Sequence, residues 1–168
     1  MKATIVKATE EDKETIQNLG RFYVYEMFRY CGFNPGWETP ANGLFECIDL
    51  SSYTEKSDRF AFLIKVENEL VGFVLINKVG STPDVDWNMG EFFVVSKFQG
   101  KGVGRFVAEQ FFKQFSGIWE VSQIPENKAA IDFWDKVIDQ YSKGQFEKSL
   151  KIVSYPKPHP MVILKFTS

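Results

Sequence analysis

The chain reads as an α/β domain, a twisted mixed β-sheet with helices on both faces in a three-layer arrangement. Three observations predict this class. The 168 residues show no linker, repeat or low-complexity tract, so one domain over 1–168 is expected. Segments of β-type and helical apolar period alternate along the chain. From Asn88 to Ser122 a strand, a glycine turn, a helix and a second strand follow one another. Such a crossover sets its two strands parallel.

The elements follow in order. Lys2–Lys7 alternates Ile5 with polar neighbours and reads as a short strand. Thr9-Glu10-Glu11-Asp12 resembles a capping box, with Asp in place of the usual Glu or Gln. Ile16, Leu19, Tyr23, Met27 and Tyr30 recur at helical spacing, which predicts a helix to about Arg29. Residues 31–58 hold Gly32, Pro35, Gly36, Pro40 and Gly43, and read as a loop with one short helix around Leu44–Leu50. Arg59–Val66 and Leu70–Lys78 are β-type runs either side of Glu67-Asn68-Glu69, a hairpin signal. Ser81-Thr82-Pro83-Asp84 is a turn, and Asn88–Lys97 a strand. The helix from Val103 to about Phe115 ends at Ser116-Gly117, a C-terminal glycine cap. Ile118–Ser122 is a strand. Asn127 opens a helix through about Ile138, with Ala130, Ile131, Phe133, Trp134 and Val137 apolar. Gln145–Ser154 and Met161–Phe166 close the chain as strands.

Composition narrows the function. Hydrophobic content of 44% and charged content of 25% suit a globular protein. A net charge of −2 gives no global attraction to nucleic acid or anionic lipid, so neither partner is expected. No apolar run approaches the roughly 20 residues that span a bilayer, and the first residues lack the apolar stretch of a signal peptide. Cys31 and Cys47 offer neither a disulfide framework nor metal-ligand spacing, so no metal is expected and a reducing cytoplasm is the default compartment.

The most informative stretch is Gln99-Gly100-Lys101-Gly102-Val103-Gly104. A strand passing through glycines into a helix exposes several unpaired N–H groups at one point, beside the positive end of the helix dipole. That arrangement suits a pyrophosphate. Glycines before a helix also serve as a plain tight turn. An ATP loop needs a lysine followed by Ser or Thr after the turn, and none is present. A dinucleotide loop needs G-x-G-x-x-G, whereas Gly100, Gly102 and Gly104 alternate. The stretch does match Gln/Arg-x-x-Gly-x-Gly/Ala through Gln99, Gly102 and Gly104. Asn127-Lys128-Ala129-Ala130, followed by Phe133-Trp134, matches a second pattern about 28 residues on. Together with the element order, these residues resemble the GNAT superfamily of N-acetyltransferases.

The resemblance implies a mixed sheet whose two neighbouring parallel strands splay around acetyl-CoA as co-substrate, with no metal. It implies that N–H groups from Gln99, Gly100, Lys101, Gly102, Val103 and Gly104 hold the pyrophosphate, with Arg105 also a cofactor-binding residue. Lys101 adds a charge or is simply a solvated lysine. Main-chain groups of Val94 and Val95 would pair with the pantetheine arm and polarise the thioester carbonyl. Asn127 would contact the cofactor or serve only as an N-cap. The acceptor amine must shed a proton, and Glu91, a few residues before the loop, is the first candidate base, with Asp86 second.

At Trp134 many relatives carry a Tyr that protonates the leaving thiolate. Indole N–H is no useful acid, so Trp134 packs, steadies the thiolate weakly, or leaves the role to another residue or to none. Tyr141 is near in sequence. His159, between two prolines, reads as loop rather than base.

The acceptor region, after the first strand and before the hairpin, carries Tyr25, Glu26, Phe28, Tyr30, Phe33, Trp37, Glu38, Phe45 and Glu46. Most of these aromatics read as core. With Asp84 and Asp86 the carboxylates favour a cationic small-molecule or peptide amine. The alternative is a binding protein that keeps the acetyl-CoA fold without the reaction, a sensor. A homodimer is compatible with the sequence and not established by it.

Overall fold

A computed structural model describes residues 2–46, 49–154 and 158–168. Strands β1 (Ala3–Lys7), β2 (Arg59–Val66), β3 (Glu69–Asn77), β4 (Trp87–Val94), β5 (Ile118–Gln123), β6 (Phe146–Val153) and β7 (His159–Thr167) form one seven-stranded sheet. Its order is β1-β2-β3-β4-β5-β7-β6. Helices α1 (Lys13–Cys31) and α2 (Ser51–Glu55) cover one face. Helices α3 (Val103–Gln114) and α4 (Lys128–Ser142) cover the other. The predicted mixed three-layer class is the observed one.

Each layer has its own core. On the α3/α4 side Val107, Phe111, Phe112 and Ile138 pack on Val74, Ile76, Met89 and Trp119. On the α1/α2 side Ile16 and Leu50 pack on Leu63, Phe73, Leu75 and Phe93. Full burial of each such side chain contributes about 1.5–3 kcal/mol. The pleat sorts the strands between the two cores, since successive residues face opposite ways.

Several boundaries differ from expectation for local reasons. Asp12 accepts from the Thr9 N–H at 2.9 Å, as the capping box requires, but the box closes a 3-10 turn, Glu10–Asp12, that leads into α1. The short helix of the long loop lies at Ser51–Glu55, not around Leu44–Leu50. The Asp49 carboxylate accepts from the Ser51 N–H at 2.9 Å, a local turn just before the Leu50 N-cap that leads the chain into the helix there. Cys47 and Ile48 lie outside the described residues. Strand β4 stops at Val94, because Ser96–Phe98 winds into a 3-10 turn. Helix α4 runs on to Ser142, held by Tyr141 packing on Phe112 and Phe166, and ends where Lys143 and Gly144 turn left-handed. His159 is the first residue of β7, paired with Val153, rather than loop.

Candidate active site

The β4–β5 pair is parallel, as the crossover predicts, but it is short. Trp87, Asn88 and Met89 pair with Trp119, Glu120 and Val121, and there the pairing ends. Beyond Met89 the two strands part. The last residues of β4 therefore line a gap in the middle of the sheet.

A bulge sits where the gap begins. Ile76 pairs with Met89 and Leu75 with Glu91, so Gly90 is the extra residue. A side chain at Gly90 would meet the Asn77 amide nitrogen at 2.7 Å and the Tyr53 hydroxyl at 3.1 Å. The bulge reverses the alternation of β4. Met89 belongs to the α3/α4 core, while Phe93, and hence Glu91 two residues before it, faces the α1/α2 side. Phe92 turns back toward α4, its ring 5.1 Å from Trp134 and 6.1 Å from Phe133.

Glu91 keeps some solvent access, yet burial of the carboxyl pushes its pKa from 4.5 up to about 7; a hydrogen bond from Tyr23 opposes the shift. Tyr23 is itself held between Phe73 and Phe93. Tyr53 completes the surroundings, bonded to Asn77 at 3.1 Å. A carboxyl tuned to neutrality can accept a proton at working pH.

The loop beyond β4 forms an anion cradle. Gly100 and Gly102 have φ of 71° and 83°, the left-handed region where glycine is strain-free. Space is open where their side chains would be. Helix α3 starts at Val103 with no side-chain cap. Its first intrahelical bond is Phe106 N–H to the Gly102 carbonyl, so the N–H groups of Val103, Gly104 and Arg105 have no acceptor within the helix. Phe98 and Val103 are buried and anchor the loop. The donors and the empty cradle fit a pyrophosphate. Gly104 is close to the Phe133 ring, 3.2 Å from where a side chain would begin.

The side chains of the loop differ in their engagements. The Gln99 amide donates to the Val94 carbonyl at 2.7 Å and approaches Glu26 on α1 at 3.5 Å. Arg105 is paired with Glu109 at 2.8 Å. The Lys101 ammonium lies 5.9 Å from the Phe98 ring. Val95 N–H is bonded to the Val71 carbonyl at 2.9 Å. Antiparallel alternation then turns the N–H and C=O groups of Phe92 and Val94 away from β3 and into the gap. Of the two valines named from sequence, Val94 thus faces the gap through its main chain, and Phe92 joins it in place of Val95.

Asn127 caps α4, its side chain accepting from the Ala130 N–H at 3.0 Å, and its amide nitrogen lies 3.9 Å from the Met27 sulfur. Trp134 is buried among Phe92, Phe112 and Phe133. Tyr141 packs into the α3/α4 core. Asp86 is committed to structure, accepting from the Ile118 N–H at 2.8 Å. Asp84 pairs with Lys165 at 2.8 Å, which with Thr82 holds its pKa down to about 2. Neither is a free acidic group beside the central strand. Cys31 is buried, and burial raises its thiol pKa, which makes it inert. His159 lies 3.6 Å from Glu126.

Tyr25, Phe28 and Phe45 form an aromatic cluster outside both cores, and Phe33 is fully exposed, so these four depart from the core expectation. A separate cavity of about 420 Å³ beneath α2 is lined by Lys7, Lys13, Lys56 and Arg59 with Glu10, a charge balance unsuited to a cationic ligand. Among the described residues no group of His, Cys, Asp and Glu could hold a metal ion, and no helix is long and apolar enough to cross a membrane.

Sequence reasoning misses the surroundings of Glu91, namely Tyr23, Tyr53 and the Gly90 bulge. An isolated glycine inside a β-type run is the available signal.

Comparisons with known proteins bear on this geometry. The acetyltransferase (GNAT) family model matches residues 21–138. An acetyltransferase from Thermus thermophilus superposes with a TM-score of 0.69 at 18% identity, over 99% of this chain and 98% of that one. A protein assigned as a streptothricin acetyltransferase, from Bacillus anthracis strain Ames in complex with acetyl coenzyme A, gives 0.62 at 13% identity, over 100% and 99%. A spermidine N-acetyltransferase chimera that includes Vibrio cholerae sequence gives 0.61 at 11% identity, over 99% and 96%. No curated protein sequence matches significantly. The glycine cradle, the parted strands and the family match over most of the chain agree: this protein belongs to the GNAT acetyltransferase family.

Proposed function

We propose that the chain transfers an acetyl group from acetyl-CoA to a primary amine, directly and without an acyl-enzyme. One observation carries this reading: a glycine cradle with unpartnered N–H groups lies at the end of a strand that has just lost its parallel neighbour. The N–H groups from Gly100 to Arg105 would hold the pyrophosphate, with Lys101 adding charge; the Gln99 N–H, expected to join them, is instead bonded to the Ser96 carbonyl at 3.2 Å and closes the turn before the cradle. Acetyl-CoA supplies the activated acyl group. Main-chain groups of Phe92 and the Val94 N–H would hold the arm in the gap, the Val94 carbonyl being taken by Gln99, and an N–H there would stabilise negative charge on the thioester oxygen. Asn127, near the same end of α4, would fix the arm's entry.

Glu91 would take the proton of the incoming amine. At pH 7 a lysine-like ammonium is neutral in roughly one molecule in 10³, so a base tuned to neutrality contributes directly. Trp134 would serve by packing behind Phe92, and the thiol would leave as thiolate. The acceptor would approach from the α1/α2 side, past Glu26 and the Tyr25, Phe28 and Phe45 cluster, which favours a cationic small-molecule or peptide amine.

A sensor that binds acetyl-CoA without turnover is the second reading, favoured by the buried Trp134 at the Tyr position. Thiol release measured over an amine panel separates the two. Amine-dependent steady release is the expected result. Saturable CoA binding with no release would establish the sensor, and neither binding nor release would overturn both.

A further inference from the structure

Gln123 is the last residue of β5, two beyond Val121, where pairing with β4 ends. It is 4% exposed. Both its Nε2 and its Oε1 are buried and have no hydrogen-bond partner among the described residues. Three other side chains hold a buried atom in that condition, but each is engaged elsewhere. Asp135 binds Lys148, His159 lies beside Glu126, and Arg59 stacks over the Tyr53 ring. Among the buried side chains of the described residues, Gln123 alone has neither end of its polar group engaged. A buried amide in that state destabilises a fold, and an apolar side chain of the same shape would hold β5 better.

Its position says what the amide is for. Gln123 shares the face of Trp119 and Val121, the α3/α4 side, where the anion cradle and Phe92 also lie. It stands at the edge of the gap, across from the stretch of β4 whose main-chain groups at Phe92 and Val94 turn inward. A ligand running from the cradle at Gln99–Gly104 into the gap passes between them.

We infer that Gln123 is a further binding residue for acyl-CoA, its carboxamide pairing with an amide of the pantetheine arm. This rests on the acetyl-CoA reading above. A primary carboxamide offers one acceptor and a donor side by side, the complement of a secondary amide's N–H and C=O. The pantetheine arm carries such amides.

Gln123→Leu in the full chain tests it, with calorimetric titration of CoA and of 3′-phospho-ADP, which keeps the nucleotide and pyrophosphate but lacks the arm. The expected result is a Kd for CoA raised about tenfold, an unchanged Kd for 3′-phospho-ADP, and a free protein that melts no lower than wild type. Gln123→Met, unbranched and of similar length, should behave alike and guards against a packing fault at Leu. An unchanged Kd for CoA in both variants overturns the inference. Equal weakening of CoA and 3′-phospho-ADP also overturns it, because the effect then acts through the fold or the loop. If wild type binds neither ligand, the acetyl-CoA reading falls with it, whereas normal wild-type binding with indifferent variants sinks this inference alone.

Discussion

Glu91 owes its chemistry to its neighbours, and the consequences are measurable at that residue. Burial raises its pKa from 4.5 to about 7, so the folded chain holds this proton more tightly than the unfolded chain. The resulting stability is fully present below pH about 4.5 and is lost as pH rises through about 7. The rate should move the opposite way, rising with pH through about 7 as the carboxylate forms. In Glu91→Gln the expected outcome is a fall of about 10²–10⁴-fold in kcat, with the rising limb of the pH–rate profile gone and the matching slope in stability absent. An unchanged profile would remove Glu91 from the mechanism. The sequence places Glu91 near the loop but does not reveal its direction. That depends on one inserted residue, and a lone Gly90 in a β-type run does not say which way the chain bends. Trp134 is legible as a departure from the Tyr pattern, while its burial against Phe92 and Phe133 is tertiary and is not. Gln123 gives no signal, because an orphaned amide is defined only by what surrounds it.

Among the elements, β5 is tied to the β3–β4 connection by a buried carboxylate. Glu120 accepts from the Ser81 N–H at 2.7 Å and from the Ser81 hydroxyl at 2.6 Å, while being 2% exposed. Truncation leaves the Ser81 N–H without its acceptor. Glu120→Ala should therefore lose about 2 kcal/mol of unfolding free energy, seen as a lower urea midpoint at unchanged slope. A midpoint equal to wild type would show the tie to be dispensable. Most elements are legible because their signals are local: a capping box at Thr9, a hairpin around Asn68, glycines opening α3. The short helix of the long loop is not, because a turn at Asp49, rather than the apolar run before it, leads the chain into it. Asp84 and Asp86 read as free charge in sequence because Lys165 and Ile118, their partners, lie far along the chain.

Across the whole molecule, the sheet ladder joins strands β1 to β4 to strands β5 to β7 through three residue pairs among the described residues. A ligand seated between the parted strands would bond to both halves. At 100 times its Kd, acetyl-CoA should add about 2.7 kcal/mol to stability, measured as a rise in melting temperature. No rise at millimolar acetyl-CoA would count against the proposed function as a whole. The parallel pairing is legible from the crossover, but where it ends is not, since that reflects sheet twist and the bulge together. The bulge itself has a consequence for traffic. Because it sets which face each takes, Glu91 the α1/α2 side and Phe92 the α3/α4 side, the proposed base and the side chain packed on α4 lie on opposite faces of β4. Under the proposed reaction, thioester and amine come in by separate doors, so neither blocks the other's way in or out. Arrival and departure then need no obligatory sequence.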